Sequence, residues 1–175
     1  MLKTIAILVV VLIAGALVFA ATRPDSFRIE RSASVRGTPE KIFPLINDFR
    51  QWEAWSPWEK IDPSLKRTYE GAASGKGAAY AWLGNKDVGS GRMEIVESVP
   101  SSRLLLKLDF TAPFEAHNMV EFKLERQGDA TVVTQAMYGP SPFISRLMGL
   151  FFSIDKMVGG KYEEGLASLK AIAEK

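Results

Sequence analysis

The C-terminal stretch from Pro142 to Lys175 carries apolar residues at every third or fourth position. This spacing places them on one face of an α-helix, and charged residues fill the other faces. Pro142 suits the first turn, where a missing N–H has no helical partner. Gly159 and Gly160 interrupt the pattern, and each costs about 1 kcal/mol relative to alanine. The pattern therefore predicts one long helix with a bend or weak point at the two glycines.

Most of the chain between residues 26 and 140 shows the two-residue alternation that is typical of β-strands. Turns rich in glycine, asparagine and aspartate separate the predicted strands. The strands are predicted at Ser26–Arg36, Lys66–Glu70, Ala78–Leu83, Val88–Glu97, Arg103–Phe110, Phe114–Glu125 and Thr131–Tyr138. An antiparallel sheet with one apolar face needs a cover, and the C-terminal helix can supply it. The sequence thus predicts an α+β fold, in which a curved antiparallel sheet wraps around one long helix.

The segment between the first and second strands predicts two short helices and holds a cluster of aromatic residues. Thr38 and Pro39 suit the N-cap and N1 positions of the first helix. Pro44 lies inside this helix and predicts either a kink or a split into two pieces. The aromatic cluster that follows consists of Phe49, Trp52, Trp55 and Trp58. These rings can fasten the helices to the sheet, wall a ligand cavity, or do both.

The stretch from Thr4 to Thr22 has no charged residue and is dominated by Ile, Val, Leu and Ala. As a helix it spans roughly 28 Å, close to the ~30 Å hydrocarbon core of a bilayer. It can be a membrane anchor, or a secretory signal cleaved after Val18-Phe19-Ala20. A signal usually has an apolar region of about 7–15 residues, so the length favours the anchor. We assign residues 1–23 to one N-terminal transmembrane helix (or signal peptide) and residues 24–175 to a folded domain.

Charged residues on the two sides of this anchor give opposing signals for its orientation. Lys3 and the amino terminus favour a cytoplasmic N-terminal end, whereas several arginines on the other side favour the opposite. These are Arg23, Arg28, Arg31 and Arg36. Charges inside a folding domain count less than those in short loops. The sequence therefore favours a single-pass membrane protein whose domain lies on the periplasmic or extracytoplasmic side.

The charge and cysteine content exclude several kinds of function. The chain has 22 basic and 20 acidic residues, and Lys3 and Arg23 flank the apolar stretch, so the domain is close to neutral. Without a basic cluster, nucleic acid is not expected as a partner. The absence of cysteine excludes disulfides, thiol catalysis and cysteine–metal sites.

His117 is the single histidine of the chain. Strand alternation places it beside Glu115 on the outer, solvent-facing side of the sheet. A metal site would need two or three more ligands, and this face supplies only acids. We therefore expect a surface histidine, with a general acid/base role as the alternative. Neither a metal nor a cofactor is expected.

The order of the elements and several short sequences resemble the START-like (SRPBCC) superfamily, in its polyketide cyclase/dehydratase-like branch. The matching sequences are Pro39-Glu40-Lys41-Ile42-Phe43, Asp48-Phe49, Trp55-Ser56-Pro57-Trp58 and Gly89-Ser90-Gly91, followed by the long helix. The resemblance covers about residues 26–174 and implies the helix-grip fold. It also implies that a hydrophobic molecule is held between the sheet and the C-terminal helix. The N-terminal anchor departs from the free cytosolic members and argues against diffusion as a soluble shuttle.

Candidate cavity residues are those predicted to face the space between sheet and helix. Apolar rings and methionines would supply burial, and the amides of Asn118 and Gln135 would orient a ligand. These amides fall among apolar positions, and they can instead bond to one another or to a buried water. The candidates are Tyr80, Trp82, Met93, Phe110, Asn118, Gln135, Met137, Met148 and Phe152.

Three functions fit this sequence. The first is a membrane-tethered domain that binds a hydrophobic small molecule or lipid, which requires a void between sheet and helix. The second is a cyclase or dehydratase in which Asn118, Gln135 or Tyr80 polarises a carbonyl. The third is a domain with a filled core that binds a partner protein. The sequence also suggests that Phe151 and Phe152 touch lipid beside the anchor.

Overall fold

The computed structural model describes residues 2–175 and shows a seven-stranded antiparallel sheet packed on a C-terminal helix. The helices are α1 (Leu2–Thr22), α2 (Pro39–Asn47), α3 (Trp52–Trp55), α4 (Phe143–Met148) and α5 (Ile154–Ala173), and 3-10 turns cover Phe49–Gln51 and Pro57–Lys60. The strands are β1 (Ser26–Arg36), β2 (Lys66–Gly71), β3 (Ala78–Leu83), β4 (Ser90–Val99), β5 (Arg103–Ala112), β6 (Ala116–Gln127) and β7 (Ala130–Pro140). They lie in the order β1-β7-β6-β5-β4-β3-β2. The predicted α+β helix-grip fold is confirmed, and the strand limits differ from the predicted ones by at most about two residues.

The inner face of the sheet packs against one stripe of α5. Tyr162, Leu166, Leu169 and Ala173 are all buried, and their spacing of three or four residues keeps them on one side of the helix. They meet inward side chains of the strands, among them Phe122, which is fully buried. Burying one such leucine contributes about 1.5–3 kcal/mol, so this stripe holds helix and sheet together.

A second cover for the sheet comes from α2, α3 and the tryptophans between them. The indole N–H groups of Trp52 and Trp55 donate to the carbonyls of Ile46 and Leu45, each at 2.9 Å. These carbonyls belong to the last turn of α2, where no intrahelical partner exists. The tryptophans therefore cap α2 and are fixed in place by it. α2 runs as one helix through Pro44, so the predicted split does not occur there.

The prediction of one continuous helix from Pro142 to Lys175 is wrong in its N-terminal part. The chain forms α4, loses its helical conformation after Met148, and begins α5 at Ile154. Ser153 is the physical reason, since its side chain accepts a hydrogen bond from the N–H of Lys156 at 3.3 Å and caps the new helix. The apolar periodicity continues across this cap and conceals it. α5 is one helix through both glycines.

Gly159 allows β1 and α5 to be joined by an arginine. The Arg31 side chain reaches from β1 across α5 and donates to Asp155 at 3.0 Å and to Glu163 at 2.6 Å. A Cβ atom at position 159 would overlap the Arg31 guanidinium. The adjacent Gly160 is different, because a Cβ there would lie in open space.

α1 lies outside this core and is exposed along nearly its whole length. Its most apolar window has a mean hydropathy of 2.9 and is 6% buried. By length and composition α1 fits a membrane-crossing helix, and a signal sequence fits the same criteria. Its C-terminal end contacts α4, where Arg146 donates to the backbone oxygen of Arg23 at 2.9 Å.

Replacement by alanine should affect the free energy of unfolding differently at the two glycines of α5. Gly160→Ala should raise the free energy of unfolding by about 0.5–1 kcal/mol, because alanine loses less backbone entropy in a helix. Gly159→Ala should give no such gain, because Arg31 must leave its position between Asp155 and Glu163. Urea unfolding followed by tryptophan fluorescence measures both. Equal gains for the two variants would contradict the role given to Gly159.

Candidate functional site: an apolar cavity

A cavity of about 180 Å³ lies between the inner face of the sheet and the first half of α5. Strands β3 to β7 form one wall, α5 forms the second, and the segment from Trp52 to Glu59 forms the third. Nearly all the lining side chains are apolar. The sheet and the helix therefore stand apart at this point, as the first predicted function requires.

The structure places the predicted site residues in two groups. Three of them do not line the cavity. Asn118 is buried with its amide oxygen against Gly139, while Met148 and Phe152 are exposed to 47% and 60%. Met148 and Phe152 lie outside because α5 begins only at Ile154, so neither residue faces the sheet. The residues that line the cavity are Tyr80, Trp82, Met93, Phe110, Gln135 and Met137.

Sequence reasoning missed the contribution of α5 to the wall. Val158, Tyr162 and Gly165 line the cavity and are spaced four and three residues apart, so their face was readable from the helical period. A helix that began at residue 142 would instead have placed Met148 and Phe152 beside the sheet. Gly165 has a further role, because an added Cβ would come within 3.1 Å of the Pro57 ring.

A row of aromatic rings makes up the side of the cavity formed by β3 and its neighbours. Tyr80 and Trp82 stack with ring centroids 6.0 Å apart, and Phe110 meets Trp82 edge-on at 5.6 Å. Gly91 pairs with Trp82 in the sheet, and a Cβ at position 91 would overlap the indole. Glycine at position 91 therefore lets the Trp82 ring lie across β4. Trp52, Trp55 and Trp58 also line the cavity.

One charged cluster borders this apolar space. The Glu59 side chain is 6% exposed, and its two oxygens accept from the Tyr80 hydroxyl at 2.7 Å and from Arg67 at 2.6 Å. The carboxylate is therefore paired and hydrogen-bonded, as a buried charge must be. Burial, and then the hydrogen bond to Glu59, raises the pKa of Tyr80 well above its ordinary value. Tyr80 consequently stays protonated and serves as a donor to Glu59.

A second polar position in the wall is incompletely satisfied. Gln135 is 5% exposed, and its side-chain oxygen has no hydrogen-bond partner among residues 2–175. Burial raises the pKa of Tyr162, which also lines the cavity, and the nearby Gln135 side chain acts in the opposite direction. An unpaired buried acceptor costs about 1–3 kcal/mol, so this oxygen is a place where a donor would be stabilised.

His117 lies away from the cavity on the exposed outer face of the sheet. Its Nδ1 is 2.6 Å from a carboxylate oxygen of Asp109, and its Nε2 is 3.3 Å from Glu115. The hydrogen bond with Asp109 raises the pKa of His117. Within the described part of the chain, no three His, Asp or Glu side chains come together in a way that could hold a metal ion.

The fold and this cavity define the class of the protein. A seven-stranded antiparallel sheet that grips a C-terminal helix, with an apolar space between them, is the helix-grip arrangement of α+β proteins. Residues 26–174 match the family model described as polyketide cyclase / dehydrase and lipid transport. The chain belongs to this family, in the SRPBCC superfamily, and the resemblance read from the sequence is confirmed. Membership suggests the binding of a hydrophobic ligand or lipid.

Solved structures show the same fold at low sequence identity. Protein CV1439 from Chromobacterium violaceum is 14% identical, with a TM-score of 0.59 over 87% of this chain and 99% of that one. The Aha1 dimer from Colwellia psychrerythraea is 16% identical, with a TM-score of 0.57 over 85% and 96%. Ara h 8.0201 is 11% identical, with a TM-score of 0.57 over 85% and 97%. No curated protein matches the chain in sequence.

Proposed function

We propose that this protein binds a hydrophobic small molecule or lipid in the cavity between the sheet and α5, and that α1 tethers it to a membrane. The observation that carries the proposal is the apolar space of about 180 Å³ itself. A close-packed core leaves few voids larger than a water molecule, so a space of this size is unusual for a domain that only has to fold. The residues proposed to contact the ligand are Tyr80, Trp82, Met93, Phe110, Gln135 and Met137.

The size of the cavity limits what it encloses. Sites for drug-sized ligands usually measure about 300–1,000 Å³, and this cavity is smaller. Trp58, Val88, Val158 and Lys161 are partly exposed and form its rim. The ligand is therefore a small apolar molecule, or a longer one of which only an end is enclosed while the rest extends past the rim.

Gln135 gives the ligand a polar requirement. Its unpaired oxygen is an acceptor in a mostly apolar wall. A ligand hydroxyl or N–H placed there would remove the cost of leaving the acceptor unpaired. The favoured ligand is thus an apolar molecule that carries a single hydrogen-bond donor.

The chemistry of the wall favours binding over a cyclase or dehydratase activity. Both oxygens of Glu59 already accept hydrogen bonds, one from the Tyr80 hydroxyl and one from Arg67. The Tyr80 hydroxyl already donates to Glu59, and Asn118 does not line the cavity. Among the residues proposed to polarise a carbonyl, Gln135 has an unpaired oxygen in the wall, and an acceptor cannot polarise a carbonyl. The third alternative is a partner-binding domain without a ligand, and the small volume of the cavity is the observation that favours it.

We place the domain on the periplasmic or extracytoplasmic side. Lys3 lies at the opposite end of α1 from the domain. Three of the arginines that oppose this orientation are paired with carboxylates of the folded domain, Arg28 with Glu30, Arg31 with Asp155 and Arg36 with Glu174. They belong to the domain and not to a short loop, so they count less as orientation signals.

Val158→Trp should block ligand binding by filling the mouth of the cavity. The full chain in lipid nanodiscs is titrated with the apolar fluorophore 1-aminoanthracene. The variant should bind at least about tenfold more weakly than the wild type, a difference of about 1.4 kcal/mol. Met157→Trp is the matched control, because Met157 is the preceding residue, is exposed to 64% and does not line the cavity. Its binding should equal that of the wild type, and both variants should keep the wild-type unfolding midpoint.

The control also removes the contribution of probe dissolved in the lipid, which is the same in every sample. Saturable binding that neither substitution changes would place the binding site elsewhere. A complete lack of saturable binding by the wild type would support the partner-binding alternative.

Gln135→Leu should change selectivity more than affinity. In displacement of 1-aminoanthracene, 1-naphthol carries a donor that naphthalene lacks. The ratio of their affinities should favour 1-naphthol in the wild type and fall about fivefold to tenfold in the variant, since one hydrogen bond to a buried acceptor contributes about 1 kcal/mol. An unchanged ratio would show that Gln135 does not contact the ligand.

A C-terminal fusion tests the tether and its orientation. Alkaline phosphatase fused after Lys175 should be active in intact cells, because this enzyme folds only in an oxidising compartment. The fusion should remain in the membrane fraction with α1 present by intact mass. Release of a shortened product into the soluble fraction would show that α1 is a cleaved signal.

A further inference from the structure

Outside α1, the exposed large apolar side chains are concentrated in one segment. Within residues 23–175, eleven such side chains are exposed, and eight of them lie between Phe143 and Met157. We call these eight the apolar patch. Phe151 is exposed to 77% and Phe152 to 60%. Single exposed apolar residues are ordinary, but a contiguous set of this kind marks a surface that something covers.

The apolar patch is held at the foot of α1. α4, which carries the first part of the patch, contacts the C-terminal end of α1. Ala20 is completely buried there, and Arg146 of α4 donates to the backbone oxygens of Ala21 and Arg23 at 3.5 and 2.9 Å. These oxygens are at the end of α1, where helical carbonyls lack partners. Arg146 therefore fixes the patch against the base of the proposed anchor.

The patch also lies at the end of the domain that contains the cavity. β1 begins directly after α1, and Ser26 pairs with Pro140, the last residue before the segment that leads to α4. On the other side, Met157 is the last residue of the patch, and Val158 is the first residue of α5 that lines the cavity. The patch thus runs from the foot of α1 to the cavity rim.

The lipid bilayer is the one occupant that covers both uncovered apolar features. α1 carries no charge from Thr4 to Thr22 and is almost unburied by the domain, so it needs an apolar medium. The apolar patch is fixed to the C-terminal end of α1, so it lies where the bilayer meets water. Asp155 is the one acid within the patch segment and is paired with Arg31, whereas Lys156 remains exposed. Apolar and aromatic residues beside a cationic side chain are the composition of segments that lie in the headgroup region.

We propose that the apolar patch rests in the bilayer interface and holds the cavity rim against the membrane. This inference relies on the proposed tether through α1. It adds a second contact, made by the folded domain, and implies that a ligand passes between bilayer and cavity without crossing water.

Because the chain has no cysteine, a label can be attached at one introduced cysteine without removing any other. The full chain is labelled with the fluorophore NBD at a single introduced cysteine and placed in nanodiscs that hold one copy each. Phe151→Cys reports on the patch, and Leu12→Cys reports on the middle of α1. Val99→Cys is the control, because Val99 is an apolar residue exposed to 42% in the β4–β5 hairpin, at the end of the sheet away from Ser26 and Pro140. Lipids with a nitroxide near the headgroup or near the chain end serve as quenchers.

The expected result is that the headgroup-level nitroxide quenches the label at position 151 by about half, since interfacial side chains lie roughly 5–10 Å deep. The label at position 12 should be quenched by the chain-end nitroxide, and the label at position 99 by neither. Quenching at 12 without quenching at 151 overturns the proposed patch contact and leaves the tether in place. Quenching at neither 12 nor 151 overturns the tether itself. A blue-shifted but unquenched label at 151 shows that protein covers the patch, and this also overturns the proposal.

Discussion

A single helix cannot cover the apolar face of this sheet. Seven strands spaced about 4.8 Å apart make a sheet roughly 29 Å wide, whereas a helix with its side chains is about 10–12 Å across. α5 packs mainly along β1, which leaves the far strands uncovered. α2, α3 and the tryptophans cover them, and Trp52 and Trp55 both touch the Phe122 ring at the centre of the sheet. The cavity lies where these two covers meet, so it follows from the way in which the sheet is covered.

The same arrangement fixes the walls before any ligand binds. Trp52 and Trp55 are fastened to α2 by their indole N–H groups, and the Trp82 ring is seated on Gly91. Gly165 allows Pro57 to approach α5 closely, so the two covers touch beside the cavity. Rigid walls of this kind lower the entropic cost of binding, because few side chains have to be ordered when the ligand arrives. Both oxygens of Glu59 already accept hydrogen bonds within the protein, whereas the side-chain oxygen of Gln135 accepts none. Gln135 therefore favours a ligand that brings a hydrogen-bond donor.

The sequence predicts the strands well because their signals are local. Alternation and turn residues lie within each segment, and they define all seven strands to within about two residues. The cavity wall depends on contacts that are distant in sequence. Glu59 lies in a 3-10 turn without apolar periodicity, and its role appears only when Tyr80 is brought to it by the sheet. Asn118 and Gln135 both point inward by alternation, but the cavity occupies only part of the inner face and reaches only Gln135.

The interrupted C-terminal helix follows from length as much as from its N-cap. A helix from Pro142 to Lys175 would be roughly 50 Å long, whereas the 11 residues of β1 span about 36 Å. α5 with 20 residues is about 30 Å long and already matches the sheet. Any earlier helical residues would extend past its edge with nothing to pack against. The break after Met148 turns this segment toward α1 instead, although Phe151 then remains largely exposed. Full burial of such a ring contributes about 1.5–3 kcal/mol. The sheet does not bury this ring, so an apolar surface outside the domain would provide that stabilisation by covering it.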